Sequence, residues 1–263
     1  LLVSCVFLLY RPPKKTLSEG GLAVFCIKLC HVIIELDNRY NYVEALCCDY
    51  LYHMQNGEIP AFRVAVTDGE MNLYRASVRR AMMPGEAESY LLYRKICGEM
   101  PKYGAFLLHA AVVSLDGLGY AFSARRGVGK TTHTALWEQY FGAEIINGDK
   151  PLIRQEAGGT FTAWGTPWCG KEGKQINKSV PLTAICFLEQ GRVNDITSAS
   201  VADTAARILE GTLLPPDPAR QNEMAALVGA VVRDVPAFVL TCRPDELAAR
   251  VSHDALTAVK THK

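Results

Sequence analysis

Ala124-Arg125-Arg126-Gly127-Val128-Gly129-Lys130-Thr131-Thr132 is the stretch on which the fold turns. An apolar, strand-like run, Gly119–Ser123, leads into it, and a helical pattern, Thr131–Tyr140, leads out. The spacing is that of a phosphate-binding loop, G-x-x-x-x-G-K-[ST], with Ala124 standing where the first glycine belongs. Gly127 and Gly129 let the backbone curl so that successive N–H groups face one anion. The helix that follows adds its N-terminal donors and the positive end of its dipole. Lys130 supplies a point charge for β- and γ-phosphates, and Thr131 places a hydroxyl where Mg²⁺ takes an oxygen ligand. ATP with Mg²⁺ is the expected ligand of Ala124–Thr132. Arg125 and Arg126 are read either as further phosphate contacts or as solvated side chains.

Beyond the helix, an apolar strand at Glu144–Asn147 ends in Gly148-Asp149-Lys150. Asp149 follows the loop's helix closely enough to reach a metal held by Thr131, and it is the expected metal-binding and catalytic acid. The competing reading is a turn aspartate, since N-G-D is a common turn sequence. Upstream, Phe106–Ser114 reads as one strand, joined through Asp116-Gly117 to the strand that enters the loop, a hairpin signal. His109 lies on that first strand. Two readings stand for it: a core histidine among apolar neighbours, or a ring that pairs with Asp149 and handles a proton.

Downstream, Leu152–Arg154 and Phe161–Trp164 form a second expected hairpin. Next comes Gly165-Thr166-Pro167-Trp168-Cys169-Gly170-Lys171-Glu172-Gly173-Lys174. It is read either as a shaped functional loop, with Lys171 or Lys174 neutralising a phosphoryl group or substrate anion, or as a surface loop with solvated lysines. Pro181–Leu188 is expected to be a buried strand and Ala237–Thr241 another. Asp203–Leu214, Asn222–Val232 and Asp245–Val259 are expected helices. Pro215–Pro218 reads as a connector.

Before residue 101 the pattern alternates. Leu22–Ile27, His31–Leu36 and Phe62–Thr67 read as strands, Tyr42–Leu51 and Glu86–Cys97 as helices, and Asp68-Gly69 as a turn. No chemical motif falls there. Residues 1–20 are set aside as a leader or start-site artefact: the apolar run Leu1–Tyr10 is too short to span a bilayer and lacks signal-peptide flanks. The expected organisation is therefore 1–20, an accessory α+β region over 21–100, and a loop-bearing domain over 101–263.

Composition narrows the function classes. With 28 Lys+Arg against 27 Asp+Glu the chain of 263 residues has a formal net charge of +1, so no basic surplus points to nucleic acid. No run approaches transmembrane length, so no membrane partner is expected. The 9 cysteines show no C-x-x-C pair and mostly sit in apolar runs, as in Ala184-Ile185-Cys186-Phe187-Leu188. That pattern fits reduced core thiols and a cytoplasmic location.

Leu108-His109-Ala110-Ala111-Val112-Val113, the Asp116-Gly117 hairpin, Gly127-Val128-Gly129-Lys130-Thr131 and Gly148-Asp149 together resemble HPr kinase/phosphorylase and its relatives in the phosphoenolpyruvate-carboxykinase-like P-loop group. The run through Gly165–Trp168, Lys171-Glu172 and Pro181–Glu189 is similar to a bacterial HPr-kinase-like branch. The resemblance covers roughly Pro101–Glu189. It implies an α/β, phosphoenolpyruvate-carboxykinase-like P-loop fold with a mixed sheet, beside the smaller N-terminal α+β region. It also implies a kinase moving the γ-phosphoryl of ATP to a hydroxyl of a protein, peptide or small molecule. By the same resemblance His109 assists proton transfer, Lys130 is the loop lysine and Thr131 the Mg²⁺ ligand. The family's two adjacent acids are reduced here to Asp149, between Gly148 and Lys150. That departure keeps open an ATP-binding regulatory module with little catalysis. Phosphoenolpyruvate carboxykinase chemistry is a further alternative, but the arginines and second-metal ligands it needs are not found. Residues 21–100 are candidates for recognising the acceptor or for packing against a second copy of the chain.

Overall fold

The computed structural model describes residues 23–79 and 81–259. The expected leader, residues 1–20, and Leu22 at the head of the first expected strand lie outside the described residues.

The chain opens with a three-stranded sheet ordered β1-β2-β3. Strands β1 (Ala23–Leu29) and β2 (Val32–Asn38) are antiparallel, and β3 (Phe62–Ala65) joins β2 in parallel. Between β2 and β3 lies α1 (Asn41–Leu46), followed after Cys47 by a 3₁₀ turn, Cys48–Tyr50. The single helix expected over Tyr42–Leu51 is thus two short pieces. After β3 come α2 (Asp68–Ser77) and α3 (Pro84–Glu99).

Helix α2 corrects the reading of Asp68-Gly69 as a turn. Thr67 caps the helix: its hydroxyl accepts from Glu70 N at 3.2 Å, and the Glu70 carboxylate accepts from Thr67 N at 2.8 Å. This reciprocal box satisfies amides that would otherwise have no partner. Thr67→Ala is expected to cost about 1 kcal/mol of stability. A chemical-denaturation midpoint unchanged by the substitution would mean the box contributes nothing.

The first core cluster packs this sheet against Leu92, Tyr93 and Ile96 of α3, and it continues across position 100 into Ala105, Leu107 and Leu152. A 3₁₀ turn at Met100–Tyr103 connects α3 to the second, nine-stranded sheet. Its strands are β4 (Ala105–Leu107), β5 (Ala110–Leu115), β6 (Leu118–Ser123), β7 (Glu144–Asn147), β8 (Leu152–Gln155), β9 (Phe161–Trp164), β10 (Ser179–Gln190), β11 (Asp195–Ser198) and β12 (Ala237–Cys242). Helix α4 (Lys130–Phe141) follows β6. Helices α5 (Val201–Glu210) and α6 (Pro218–Asp234) precede β12, and α7 (Glu246–Thr257) closes the described chain. The expected connector Pro215–Pro218 supplies the cap and first residue of α6, Asp217 and Pro218.

The sheet runs β4-β8-β9-β10-β6-β5-β7, with β12 on the other side of β10 and β11 beyond it. It curls because β10 changes partners along its length. Ser179–Pro181 pair with β9 antiparallel, Leu182–Phe187 with β6 in parallel, and Ile185–Gln190 with β12 in parallel. The register slips between Leu182 and Ala184, as a bulge placed at a bend does.

Side-chain alternation then separates two buried faces. Tyr120, Phe122, Ala184, Cys186 and Leu188 face Trp137 of α4 and Ala249 and Leu256 of α7. Ala121, Ile185 and Phe187 face Ile208 of α5 and Leu227, Val228 and Val231 of α6. Burial on both sides explains why β6 and β10 are nearly continuous apolar runs. The fold is therefore a mixed α/β arrangement, with a curled mixed sheet and a small separate sheet. All eight described cysteines are free. Among the described residues no helix is long and apolar enough to cross a membrane.

Candidate functional site

The loop Ala124–Gly129 leaves the end of β6 and enters α4 at Lys130. Gly127 and Gly129 take φ of 84° and 126°, a region costly for any residue with a Cβ. Ala124 does not, so the methyl group at the first motif position is accommodated without strain. The hairpin before the loop also forms: Asp116 and Gly117 both have positive φ, 51° and 79°, and β5 pairs with β6 antiparallel. This is the backbone twist that two-residue hairpins favour.

Strand order explains why His109 and Asp149 meet the loop. Strand β5 lies between β6 and β7 and is antiparallel to both. Its first residues therefore sit at the carboxyl ends of its two neighbours. His109 immediately precedes β5, the loop follows β6, and Asp149 follows β7 by two residues. The strand expected over Phe106–Ser114 is broken here into β4 and β5, because β4 pairs with β8 instead. At the break, Leu108 N donates to Pro151 O at 3.2 Å, His109 N to Gly211 O at 2.6 Å, and Ala110 N back to Leu108 O at 2.8 Å. The kink re-aims His109 out of the sheet toward the loop.

Three groups gather at the loop mouth. His109 Nε2 is 2.9 Å from Lys130 Nζ and 3.0 Å from Asp149 Oδ1, and Lys130 Nζ is 3.9 Å from the same carboxylate oxygen. Lys130 also donates to Ala124 O at 3.3 Å. One ring nitrogen faces two partners that want opposite things of it. Protonated, Nε2 donates to Asp149 and confronts an ammonium. Unprotonated, it accepts from Lys130 and leaves Asp149 without that donor. On the other carboxylate oxygen, Lys150 Nζ donates at 2.8 Å.

Burial would raise the Asp149 carboxyl, but the hydrogen bond from His109 and the charge and hydrogen bond of Lys150 outweigh it. The group is held well below the usual carboxylate range. Lys130 is pushed down, first by burial, with Asp149 pulling it back up and Lys150 pushing further down.

Asn147 is a residue that sequence reading passed over as part of a turn. It is fully buried, and its Oδ1 accepts from Asp149 N at 2.9 Å and Lys150 N at 2.7 Å. Its Nδ2 donates to Thr166 O at 3.0 Å. Thr166, also buried, donates its hydroxyl to Lys150 O at 2.7 Å. The Gly165–Lys174 loop thus braces the acid from behind. Gly165 is required there, since a Cβ would lie 1.9 Å from Ile176 O. Trp168 donates to Ser89 Oγ at 3.1 Å and packs on Tyr93, and Lys150 Nζ lies 5.7 Å from the Tyr93 ring centre. Helix α3 therefore reaches the site through one aromatic layer.

The other expected residues divide. Thr131 and Thr132 are exposed on the first turn of α4. Arg125 pairs with Glu210 at 3.3 Å in solvent, and Arg126 is exposed. Lys174 pairs with Glu138 of α4. Lys171 is exposed and follows Gly170, whose Cβ position would be 3.1 Å from Asp149 Cβ. His133 packs in the core: its Nε2 meets Ser252 Oγ at 2.9 Å, and burial pushes its pKa down to about 4.

A family model described as SynChlorMet cassette protein ScmC matches residues 89–243, more than half of the chain. The span runs from α3 to β12 and includes His109, the loop and Asp149. No curated protein matches. Among solved structures, the chain is similar to the Hpr(Ser) kinase/phosphatase from Coxiella burnetii. The identity is 12%, over 57% of this chain and 89% of that one, with a TM-score of 0.34.

Proposed function

The chain belongs to the ScmC family of SynChlorMet cassette proteins, and on that premise we propose that it is an ATP-dependent phosphotransferase acting on a hydroxyl. The acceptor is a side chain of a protein or peptide, or a small molecule. The observation that carries this reading is the meeting of Lys130, His109 and Asp149 within 3.9 Å of one another at the mouth of a glycine-curled loop.

The loop amides and the start of α4 form the anion cradle. A polyphosphate draws Lys130 away from His109 and Ala124 O, because a dense negative charge outcompetes a ring nitrogen and a carbonyl. Nε2 of His109 is then no longer divided and serves Asp149 alone. Asp149, fixed by Asn147 behind and Lys150 beside it, accepts the hydrogen bond of the incoming hydroxyl and aims its oxygen at the γ-phosphorus. A carboxylate this acidic is a weak proton sink. That is tolerable where the transition state is loose and the hydroxyl proton leaves late. The bond to the β-phosphate oxygen breaks, a bond to the acceptor oxygen forms, and the proton passes to Asp149.

Of the two residues expected to hold Mg²⁺, Thr131 fits. Its hydroxyl lies on the exposed first turn of α4, and phosphate oxygens and water complete such a shell. Asp149 fits only if it releases Lys150 at 2.8 Å. Among the described residues no cluster of three acids, histidines or cysteines forms a metal cage. Bound with the triphosphate, the ion would supply charge neutralisation.

The Lys150 contact also favours a second reading, an ATP-binding regulatory module in which the lone acid is locked in an ion pair. Incubation with γ-labelled ATP and extract of the source cells separates the two. The kinase reading expects label in a protein or metabolite, and release of labelled phosphate alone with every fraction would contradict it. Ala124→Gly should change ATP affinity by no more than about twofold, or about 0.4 kcal/mol, since Ala124 is unstrained. A tenfold gain, about 1.4 kcal/mol, would mark the loop as a degraded one.

A further inference from the structure

The loop has two sides. Strands β5 and β7, carrying His109 and Asp149, lie on one flank of β6. Strands β10 and β12 lie on the other, both parallel to it. Parallel strands share their carboxyl end, so Gln190 at the end of β10 and Cys242 at the end of β12 come level with the loop. In open α/β sheets that edge is where ligands settle.

A cavity of about 370 Å³ occupies this place. Its walls include Val128 of the loop, Leu188 and Gln190 of β10, and Cys242, Arg243 and Pro244 at the end of β12. Its size lies within the range of small-molecule sites. His133 closes the floor and is held in the core by Ser252. Gln190 Nε2 reaches the carbonyls of Gly127 and Val128 at only 3.5 and 3.4 Å, so its amide is loosely held and free to turn to a ligand. Arg243 is anchored by its backbone: its N–H donates to Asn194 Oδ1 at 2.8 Å, and its guanidinium stays at the rim, 3.2 Å from Asp245.

We propose that this groove binds the nucleoside end of the nucleotide, so that the nucleotide lies across the loop with its base over β10 and β12 and its γ-phosphate over β5 and β7. The inference rests on the phosphotransferase reading and deepens it, because it fixes the direction of the bound substrate. Val128, Leu188 and Pro244 offer apolar surface to a base or ribose face. Gln190 offers one donor and one acceptor to a polar edge. The cavity also borders Gly127, Gly129 and Thr132 and so runs on from the phosphate cradle. Inorganic tripolyphosphate has no group to reach Leu188, Cys242 and Pro244 and should bind the cradle alone.

The test compares ATP with tripolyphosphate, both with Mg²⁺, on the wild-type chain. ATP is expected to bind at least about tenfold more tightly, a difference of about 1.4 kcal/mol. Cys242 provides a label in the groove, and exposed Cys48 provides an internal reference. Alkylation followed by mass spectrometry should show Cys242 protected about tenfold when ATP is at about ten times its Kd, with Cys48 unchanged. Tripolyphosphate should not protect it. In Cys242→Phe, which fills the groove, ATP affinity should fall to that of tripolyphosphate. Equal affinities in the wild type, or Cys242 equally reactive with and without saturating ATP, would overturn the groove while leaving the cradle standing. Failure of both ligands to bind would overturn the phosphotransferase reading itself.

Discussion

Asp149→Asn is expected to lower phosphoryl transfer by about 10²–10⁴-fold while leaving nucleotide affinity close to that of the wild type. Affinity should survive because, on the proposed reading, the loop amides and Lys130 would hold the phosphates without help from this carboxylate. Transfer should fail because asparagine keeps the size but loses the charge that orders its neighbours. The amide offers Lys150, now 2.8 Å from a carboxylate oxygen, a weaker acceptor, and it takes no proton from a hydroxyl. No second acid adjoins it, since Gly148 and Lys150 flank the position. His109→Ala should cost less, because the ring touches Asp149 and Lys130 and acts through them. The pH dependence has a definite sign. The folded-state pKa of Asp149 is depressed, so its ion pairs contribute stability above the unfolded carboxyl value, and that stability is lost as pH falls through the folded one. The acid limb of the rate should therefore not be set by Asp149 anywhere near neutrality. Single-turnover transfer, or ATP hydrolysis before an acceptor is known, provides the measurement. Wild-type turnover in Asp149→Asn would reduce this acid to a turn residue.

Lys130→Ala should abolish most of the thermal stabilisation that ATP confers. Ligand at about 100 times its Kd adds about 2.7 kcal/mol, which for a chain of this size is roughly 5–10 °C in melting temperature. Lys130 is 8% exposed, so its ammonium has lost much of its hydration. Among the described residues its partners there are a ring nitrogen, a carbonyl and a carboxylate at 3.9 Å. On the proposed reading a polyphosphate would replace these with strong charge-assisted contacts, and the alanine would remove that gain. The apo protein should not lose stability in proportion, because burying that charge already carries a desolvation cost. Equal ATP-induced shifts in the variant and the wild type would show that the lysine does not meet phosphate.

The loop, its strand and its helix were legible because they rest on local chemistry: glycines where φ must be positive, and apolar runs on either side. The Asp116-Gly117 hairpin was legible for the same reason. The break at Leu108–His109 was not. The run Phe106–Ser114 is apolar apart from His109 and its last residue and carries no turn signal, and the switch of partners is decided by the carbonyls of Pro151 and Gly211, far away in sequence. Helix α2 carried a local signal, Thr67 with Glu70, that was masked by the stronger turn signature of Asp68-Gly69. Strand β11 is four largely polar residues at a sheet edge, and only its pairing with β12 defines it. At the site, Asp149 was visible as an acid after a strand. The bracing by Asn147 and Thr166 was not, since a buried amide looks like any turn asparagine until its partners are in place.

Equilibrium titration of the wild-type chain with ATP and Mg²⁺, followed by calorimetry, decides whether Ala124–Thr132 is a nucleotide site. One nucleotide per chain is expected, with saturable binding and competition by tripolyphosphate through the shared phosphate cradle. A wild-type protein that takes up no heat of binding and no nucleotide would contradict it, whatever the arrangement of Lys130, His109 and Asp149.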